Sequence, residues 1–368
     1  MKITIIVVNF NSVADTAECL KSLSKLIKHD FELEIVLVDN ASTDGSVVNI
    51  RKEFPHVTIL VNSQNLGFSE GNNVGISYSL KRSADFILLL NNDTTVDQHL
   101  VTKLLDAAKS YPQGGIFCPK IYFYPGFETH RGRYKASELG QVIWYGGGLM
   151  DWDNVLGSHR GVDEVDKGQY QEVIKTAYGT GCALFVRRAV FEKVGMLDPK
   201  FYLYYEDLDF SMRSRKKGFE IFYVPQALIW HKNAGSAGGT GSDLQAYYIT
   251  RNRLLVGMRY APWRTKLALF REATNMLMSG TKTQRQAIGD FLRKKYGRRE
   301  EVKLVTIKLP TFKWPTFYPK WPPMRLPKLP KNKSPKSSIL HISNIKPPRF
   351  PSMPNLLKYF KKKENTSR

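Results

Sequence analysis

Along residues 1–95, short β-branched runs alternate with stretches whose apolar positions recur at helical spacing. Lys2–Asn9, Leu33–Val38, Val57–Val61 and Asp85–Leu90 read as strands. Asp15–Ile27, with Ala17, Leu20, Leu23 and Leu26 on one face, reads as a helix, as do Ser46–Glu53 and Asn72–Leu80. This alternation predicts a mostly parallel sheet with helices on its faces. Polar residues collect where strands end, in Asn9-Phe10-Asn11, in the turn from Asp39 to Asp44, and in Asn91-Asn92-Asp93. Ligands of open α/β sheets bind beyond the carboxyl ends of the strands, so three clusters at one edge predict a single site.

The pattern weakens between Tyr122 and Lys175, where glycines at 140, 146, 147 and 148 and mixed charges predict loops or short hairpins. Order returns with a strand over Thr176–Arg187 carrying Gly179-Thr180-Gly181, then a helix over Arg188–Val194. A further helix starts at Glu206-Asp207-Leu208-Asp209 and runs to Lys217, ended by Gly218 in the usual stop position. Phe219–Val224 and Ala227–Trp230 read as two strands, the second delivering His231 at its end. Tyr247–Arg299 is helical, amphipathic and basic.

At 368 residues and 42% hydrophobic content, the chain is large enough for a substantial core, which excludes disorder along its whole length. The net charge of +22 changes the picture only when it is located. Residues 1–252 hold 27 Lys or Arg against 28 Asp or Glu, residues 253–300 hold 12 against 3, and residues 301–368 hold 16 against 2. The expected division is therefore a near-neutral body over 1–252 that carries the fold. A basic helical segment at 253–300 and a Pro/Lys-rich tail at 301–368 would follow it. The tail contains 12 of the 19 prolines, a density that opposes regular structure. The apolar runs are too short to span a bilayer, and Lys2 is followed by too brief an apolar stretch for a signal peptide, so a cytosolic chain is expected. Its basic, aromatic C-terminal segment could lie against an anionic membrane surface. Nucleic acid is the weaker partner, because that segment contains no recognisable reading motif. Cys19, Cys118 and Cys182 are too scattered for a disulfide framework or a metal cluster.

Several of the polar residues carry candidate chemistry. Asp39 emerges from an apolar strand, where its carboxylate could accept from a base imide or a ribose hydroxyl; Asn40, Ser42 and Asp44 continue the turn and could equally cap the next helix. Asn65-Leu66-Gly67 through Gly71-Asn72-Asn73 places glycines and amides ahead of a helix, as a phosphate contact or a simple helix-leading loop. Asp93 is a carboxylate at the rim of a hydrophobic strand, suited to Mg²⁺ or Mn²⁺, which need few protein ligands when phosphate oxygens are present; His231 could supply a second ligand. Glu206, Asp207 and Asp209 form the densest acidic cluster, combining helix N-terminal acids with a candidate general base.

Taken in order, the elements around Asn9 and Asn11, Asp39 to Ser46, Asn65 to Asn73, Asn91-Asn92-Asp93, Gly179 to Arg188, Glu206-Asp207-Leu208-Asp209 and His231 resemble glycosyltransferase family 2, in its bacterial branch containing rhamnosyltransferases. The resemblance implies a GT-A fold over 1–252, with a nucleotide-sugar-binding part at 1–121 and an acceptor and catalytic part at 122–252, and inverting, metal-dependent transfer of a sugar from a nucleotide-sugar donor to a glycan or polyprenyl-linked acceptor in cell-surface polysaccharide synthesis. On it, Asn9, Asn11, Asp39, Asn40, Ser42, Asn65, Gly67, Asn72, Asn73 and Asn92 would line the donor site, and Asp93 with His231 would hold Mn²⁺ or Mg²⁺. It further implies Asp207 as the base and Glu206 as its support, with Trp144, Tyr145, Gly181 and Asp209 near the sugar or acceptor. Two departures stand out. The metal motif lacks its first carboxylate, and no Gln-X-X-Arg-Trp sequence of processive synthases occurs, which favours single-sugar transfer. A nucleotidyltransferase would carry an N-terminal Gly-rich loop with Arg and Lys, where this chain has Asn9-Phe10-Asn11-Ser12. A sugar-nucleotide-binding relative without activity is the other alternative.

Overall fold

The computed structural model describes residues 1–27, 30–233 and 242–299. The tail at 301–368 lies outside the described residues. The N-terminal half opens with β1 (Lys2–Asn9), α1 (Val13–Leu23), β2 (Glu32–Asp39), α2 (Ser46–Glu53), β3 (Thr58–Val61), α3 (Gly67–Lys81) and β4 (Phe86–Asn91). It continues through β5 (Thr94–Val96), α4 (Leu100–Ser110) and β6 (Gly114–Phe123) to a region of short strands, β7 (Ile143–Tyr145), β8 (Gly148–Asp151), β9 (Leu156–His159) and β10 (Ile174–Lys175). Then come β11 (Ala183–Arg187), α5 (Arg188–Val194), α6 (Glu206–Lys216), β12 (Glu220–His231), α7 (Asp243–Tyr260), α8 (Trp263–Ser279) and α9 (Lys282–Leu292).

One sheet runs in the order β10-β12-β6-β11-β4-β1-β2-β3, with β5 and β7 added on β12 and β6. β4, β1, β2 and β3 are parallel, as are β6 and β12, whereas β11 runs antiparallel between β4 and β6. The parallel strands are buried on both faces, which is why Ile3 to Val7, Val36 to Val38 and Phe86 to Leu90 are almost continuously apolar. Register brings Asn9 opposite Asp39 and Val8 opposite Asn91, so all three polar clusters reach the same edge.

The structure redraws several elements. α1 ends at Leu23, short of Ile27. α3 starts at Gly67, five residues earlier than the periodicity predicts, because the Tyr202 carbonyl accepts from the Phe68 and Ser69 N–H groups and caps the helix from outside. Asn72 and Asn73 therefore lie within the helix. The strand expected from Thr176 begins only at Ala183, since the Gly181 N–H turns to the Asp207 carboxylate instead of a ladder. The two strands expected between Phe219 and Trp230 are one, β12, with an irregularity around Pro225 where its register on β6 shifts. The basic helical segment is three helices, interrupted at Pro262 and Gly280.

The expected boundary at 252 falls inside α7, and residues 1–303 form one compact unit. α7, α8 and α9 bury Leu254, Leu255, Val256, Leu269 and Ile288 in a second core that also takes Phe201, Leu208 and Met212 from around α6. Among the described residues, no helix is long and apolar enough to cross a membrane.

Candidate active site

The donor-side half of the edge is a relay of side-chain hydrogen bonds. Asn92 Nδ2 donates to Thr16 Oγ1 at 2.9 Å, Thr16 Oγ1 donates to Asn9 Oδ1 at 2.8 Å, and Asn9 Nδ2 donates to Asp39 Oδ1 at 2.8 Å. The other Asp39 oxygen accepts from the Ser42 N–H at 2.9 Å. This couples the ends of β4, β1 and β2 through groups that are buried and mutually satisfied. Thr16 belongs to the relay but lay unnoticed in the sequence, because it looks like any polar position of an amphipathic helix.

The relay also corrects the sequence reading of Asp39. Its carboxylate is 0% exposed and both oxygens hold the turn, so the structure gives it a shaping role and no open face for a base or ribose. Asn40 is likewise committed, donating to the Gly67 carbonyl and accepting from Asn62. Asn72 donates to the Phe68 carbonyl within its own helix, and Asn73 clasps the Leu197 backbone from both sides, with its Nδ2 on the carbonyl at 2.9 Å and its Oδ1 on the N–H at 3.1 Å. These amides are internal ties. Asn65 turns the chain into α3 by accepting from the Gly67 N–H, and Gly67 is required there: its φ is +75°, and a Cβ would strike the Tyr202 ring and carbonyl. The groups that do face outward are Asn11 and Thr43, with Ser42 half-buried between them and accepting from Asn9 and the Asn11 N–H.

Asp93 and His231 meet beside this relay. β4 ends just before the first, and β12 ends on the second, which pairs with Thr94 of β5; the imidazole Nε2 lies 3.1 Å from Asp93 Oδ1. Burial opposes the charged imidazolium, but the Asp93 carboxylate outweighs it and holds His231 well above its ordinary value. Its Nδ1 is buried and makes no hydrogen bond, with the Cys182 thiol beside the ring. Trp144 packs edge-on against the imidazole at 4.6 Å. Its neighbour Tyr145 does not join it. On a three-residue strand the two point to opposite faces, and Tyr145 is buried in the main core with its hydroxyl on the Tyr178 carbonyl, which leaves it no open face for the expected sugar contact. All three cysteines are buried and free.

The acidic cluster at the start of α6 resolves into three different environments. Asp209 is 0% exposed and knotted to Arg213, Arg259 and the Tyr260 hydroxyl, which removes it from the acceptor contacts expected of it. Asp207 is partly exposed; its Oδ2 accepts from the Gly181 N–H at 2.8 Å and its Oδ1 from the Leu208 N–H at 2.7 Å. Burial raises its pKa against the pull of those N–H groups. Glu206 is buried, its Oε2 has no partner, and desolvation together with the Asp207 charge lifts it well above the usual carboxylate range. Burial thus favours the neutral form of both carboxyls, and of Glu206 the more strongly. Asp207 connects to the end of β4 through one short path: it binds the Gly181 N–H, and the carbonyl of the next residue, Cys182, accepts from the Asn91 N–H at 2.9 Å.

The segment leading to Glu206 is held in an unusual backbone. Tyr202, Tyr204 and Tyr205 all have positive φ, at 63°, 67° and 71°, a costly conformation for aromatic residues. α7 supplies the restraint. Asn252 Nδ2 donates to the carbonyls of Phe201, Leu203 and Tyr204, and the buried Arg251 guanidinium donates to those of Lys200, Phe201 and Gly297. Sequence reading missed both residues, since nothing local marks an Arg-Asn pair as a partner of a loop fifty positions away.

The model of Glycosyl transferase family 2 matches residues 4–195, just over half the chain. A curated relative, N-acetylglucosaminyl-diphospho-decaprenol L-rhamnosyltransferase of Mycobacterium tuberculosis, is 27% identical over 249 residues, covering 64% of this chain and 78% of its own. The dTDP-rhamnosyl transferase RfbF of Shigella flexneri is 24% identical over 253 residues, covering 64% and 75%. Among solved structures, GalNAc-T7 with UDP, GalNAc and Mn²⁺ superposes with a TM-score of 0.54 at 15% identity, over 80% of this chain and 54% of that one. TarS of S. aureus in complex with UDP gives 0.50 at 16% identity, over 80% of each chain. The chain belongs to glycosyl transferase family 2, and it is a glycosyltransferase built on the GT-A fold.

Proposed function

We propose that the protein is an inverting, metal-dependent, non-processive glycosyltransferase that moves one sugar from a nucleoside diphosphate to a hydroxyl of a glycan or polyprenyl-linked acceptor. The observation that carries this reading is Asp207, a partly exposed carboxylate with raised pKa, fixed by two backbone N–H groups and linked through Gly181 and Cys182 to the strand end that bears Asp93. L-rhamnose from a dTDP donor is the first choice of sugar, on the strength of the two rhamnosyltransferase relatives, one of them named for a decaprenol-linked acceptor.

In the proposed step, the acceptor hydroxyl gives its proton to Asp207 as its oxygen bonds to the anomeric carbon. The bond from that carbon to the diphosphate breaks on the opposite face, and the nucleoside diphosphate leaves with the electron pair. One displacement inverts the anomeric configuration. Burial strengthens Asp207 as a base, and the Gly181 and Leu208 N–H groups aim its oxygens. Burial and the neighbouring Asp207 charge push Glu206 toward its neutral form, which limits negative charge beside the base.

Asp93 and His231 fit a divalent cation. They offer one carboxylate oxygen and one imidazole nitrogen 3.1 Å apart, and a cation there would replace the proton that the pair now shares. Such an ion neutralises charge growing on a leaving diphosphate. No cluster of three or more His, Cys, Asp or Glu suited to a metal occurs among the described residues, so the remaining positions would fall to diphosphate oxygens and water. The GalNAc-T7 structure contains UDP and Mn²⁺ on a similar fold, which supports the choice of ion. Asn11, Ser42 and Thr43 are the groups open to a nucleotide, while Asp39 and Asn9 shape the wall behind them.

Calorimetric titration of dTDP and UDP, with Mn²⁺ and with EDTA, tests the donor half of this reading. Nucleotide binding strengthened by Mn²⁺ and weakened in Asp93→Ala supports it; binding indifferent to both removes the metal from the account.

A further inference from the structure

α8 presents an apolar stripe to solvent. Trp263, Leu267, Phe270 and Met278 are 66%, 61%, 60% and 72% exposed, and their spacing of four, three and eight residues keeps them on one helical face. The opposite face, with Thr265, Leu269 and Ala273, is buried against the second core, and Gly257 of α7 leaves room for the Leu269 side chain. The helix is therefore fixed to the body by one side while four large apolar side chains stand outward on the other. A contiguous exposed patch of this kind is uncommon on a protein that works alone.

The charge around the stripe selects what covers it. Residues 261–299 contain ten Lys or Arg and two acids, and neither acid is available: Glu272 pairs with Arg253 at 2.8 Å, and Asp290 is buried under the Tyr247 hydroxyl. Arg264 and Arg271 flank the stripe on one side, and the Arg264 guanidinium sits 5.5 Å from the Trp263 ring, its charge at the edge of the apolar surface. Lys282, Arg285, Arg293, Lys294 and Lys295 are exposed on and just after α9. A second copy of this face would be repelled by it, and so would the tail at 301–368, with 16 basic and 2 acidic residues. The occupant must be anionic and must also accept Leu, Phe, Met and Trp side chains at helical intervals. A nucleic acid meets the first condition only; the surface of a bilayer with anionic headgroups meets both.

We propose that α8 lies in the plane of an anionic membrane surface, with Trp263, Leu267, Phe270 and Met278 at the acyl boundary and Arg264 and Arg271 among the headgroups. This surface would place the enzyme where a polyprenyl-linked acceptor is found. In that purpose it rests on the acceptor reading above, but the surface itself is argued from α8 alone.

The test is flotation of the full chain with vesicles of phosphatidylcholine alone and of equimolar phosphatidylcholine and phosphatidylglycerol. The parent is expected to float with the anionic vesicles only. Leu267→Ser/Phe270→Ser, at two exposed positions, is expected to keep the parent's melting temperature and to lose about tenfold or more in partitioning. Arg264→Gln/Arg271→Gln is expected to lose about fivefold per charge. Equal flotation of Leu267→Ser/Phe270→Ser and parent would overturn the proposal and assign binding to the basic tail. A parent indifferent to both vesicles would overturn it as well, as would sedimentation showing a dimer that the same variant dissociates. Nucleotide release from a soluble donor is unchanged in that variant if only the surface proposal fails, and absent in the parent if the transferase reading fails.

Discussion

Glu206 and Asp207 are adjacent carboxyls with different tasks, and their environments make the difference measurable. Asp207→Asn keeps the shape and the Gly181 contact but cannot take a proton; transfer should fall by about 10²–10⁴, with donor binding within a few-fold of the parent. Because Asp207 works ionised and its pKa is raised, kcat/KM should climb with pH through a limb lying above the ordinary aspartate value of 3.8. Glu206→Gln should retain most activity, since burial already favours the neutral form. Its stability effect has a defined sign. The folded-state pKa of Glu206 lies above the ordinary 4.5, so folding prefers the protonated group; that advantage is complete below 4.5 and is lost as pH rises through the raised value. Melting curves should therefore converge in acid and show the Gln variant more stable in alkali, and coincident curves in alkali would contradict the assigned burial. At this scale the sequence was legible for placement: Asp93 and His231 meet where β4 and β12 end, and Asp207 stands partly exposed in the first turn of α6. It was not legible for Asp39, Asn73 or Asp209, whose side chains are the same types but have internal partners that only the fold reveals.

The proposed base is aimed by elements distant in sequence. α7 grips the backbone before α6 through Asn252 and Arg251, holding three tyrosines at positive φ. Asn252→Ala leaves the Leu203 and Tyr204 carbonyls short of a donor, while Arg251 still serves that of Phe201; the expected cost is about 2–3 kcal/mol, and because the loop ends at Glu206 it should lower kcat more than donor KM. A loss of stability with unchanged kcat would make the grip structural only. Gly67→Ala should cost roughly 2 kcal/mol or more, read by denaturant unfolding, because the left-handed turn and the Tyr202 carbonyl both oppose a Cβ. The strands flanking the site were readable from β-branched runs with polar ends. The beginning of α3 was not, because its cap is the carbonyl of Tyr202, and the faces of β7 were not, because three residues offer no periodicity from which to tell Trp144 from Tyr145.

On the scale of the molecule, charge counting put the end of the body at 252, where the basic residues begin; the packing puts it beyond α9, because those basic residues decorate helices whose apolar sides complete the second core. A chain ending at 252 would cut α7 and expose Phe201, Leu208 and Met212, and it should aggregate or melt without cooperativity. One ending at 303 should unfold as a single transition and retain nucleotide binding, as circular dichroism and calorimetry would show. The central claim joins Asp207 to a metal-assisted displacement at the anomeric carbon. It is tested most directly by nucleotide release from dTDP-, UDP- and GDP-sugars, in the presence of a polyprenyl-diphosphate-linked acceptor, with Mn²⁺ or EDTA, for the parent and Asp207→Asn. The account predicts release from one donor, dTDP-L-rhamnose first, abolished by EDTA and by the variant, with product of inverted anomeric configuration. Release that persists in Asp207→Asn at the parent's rate, or product of retained configuration, would contradict it.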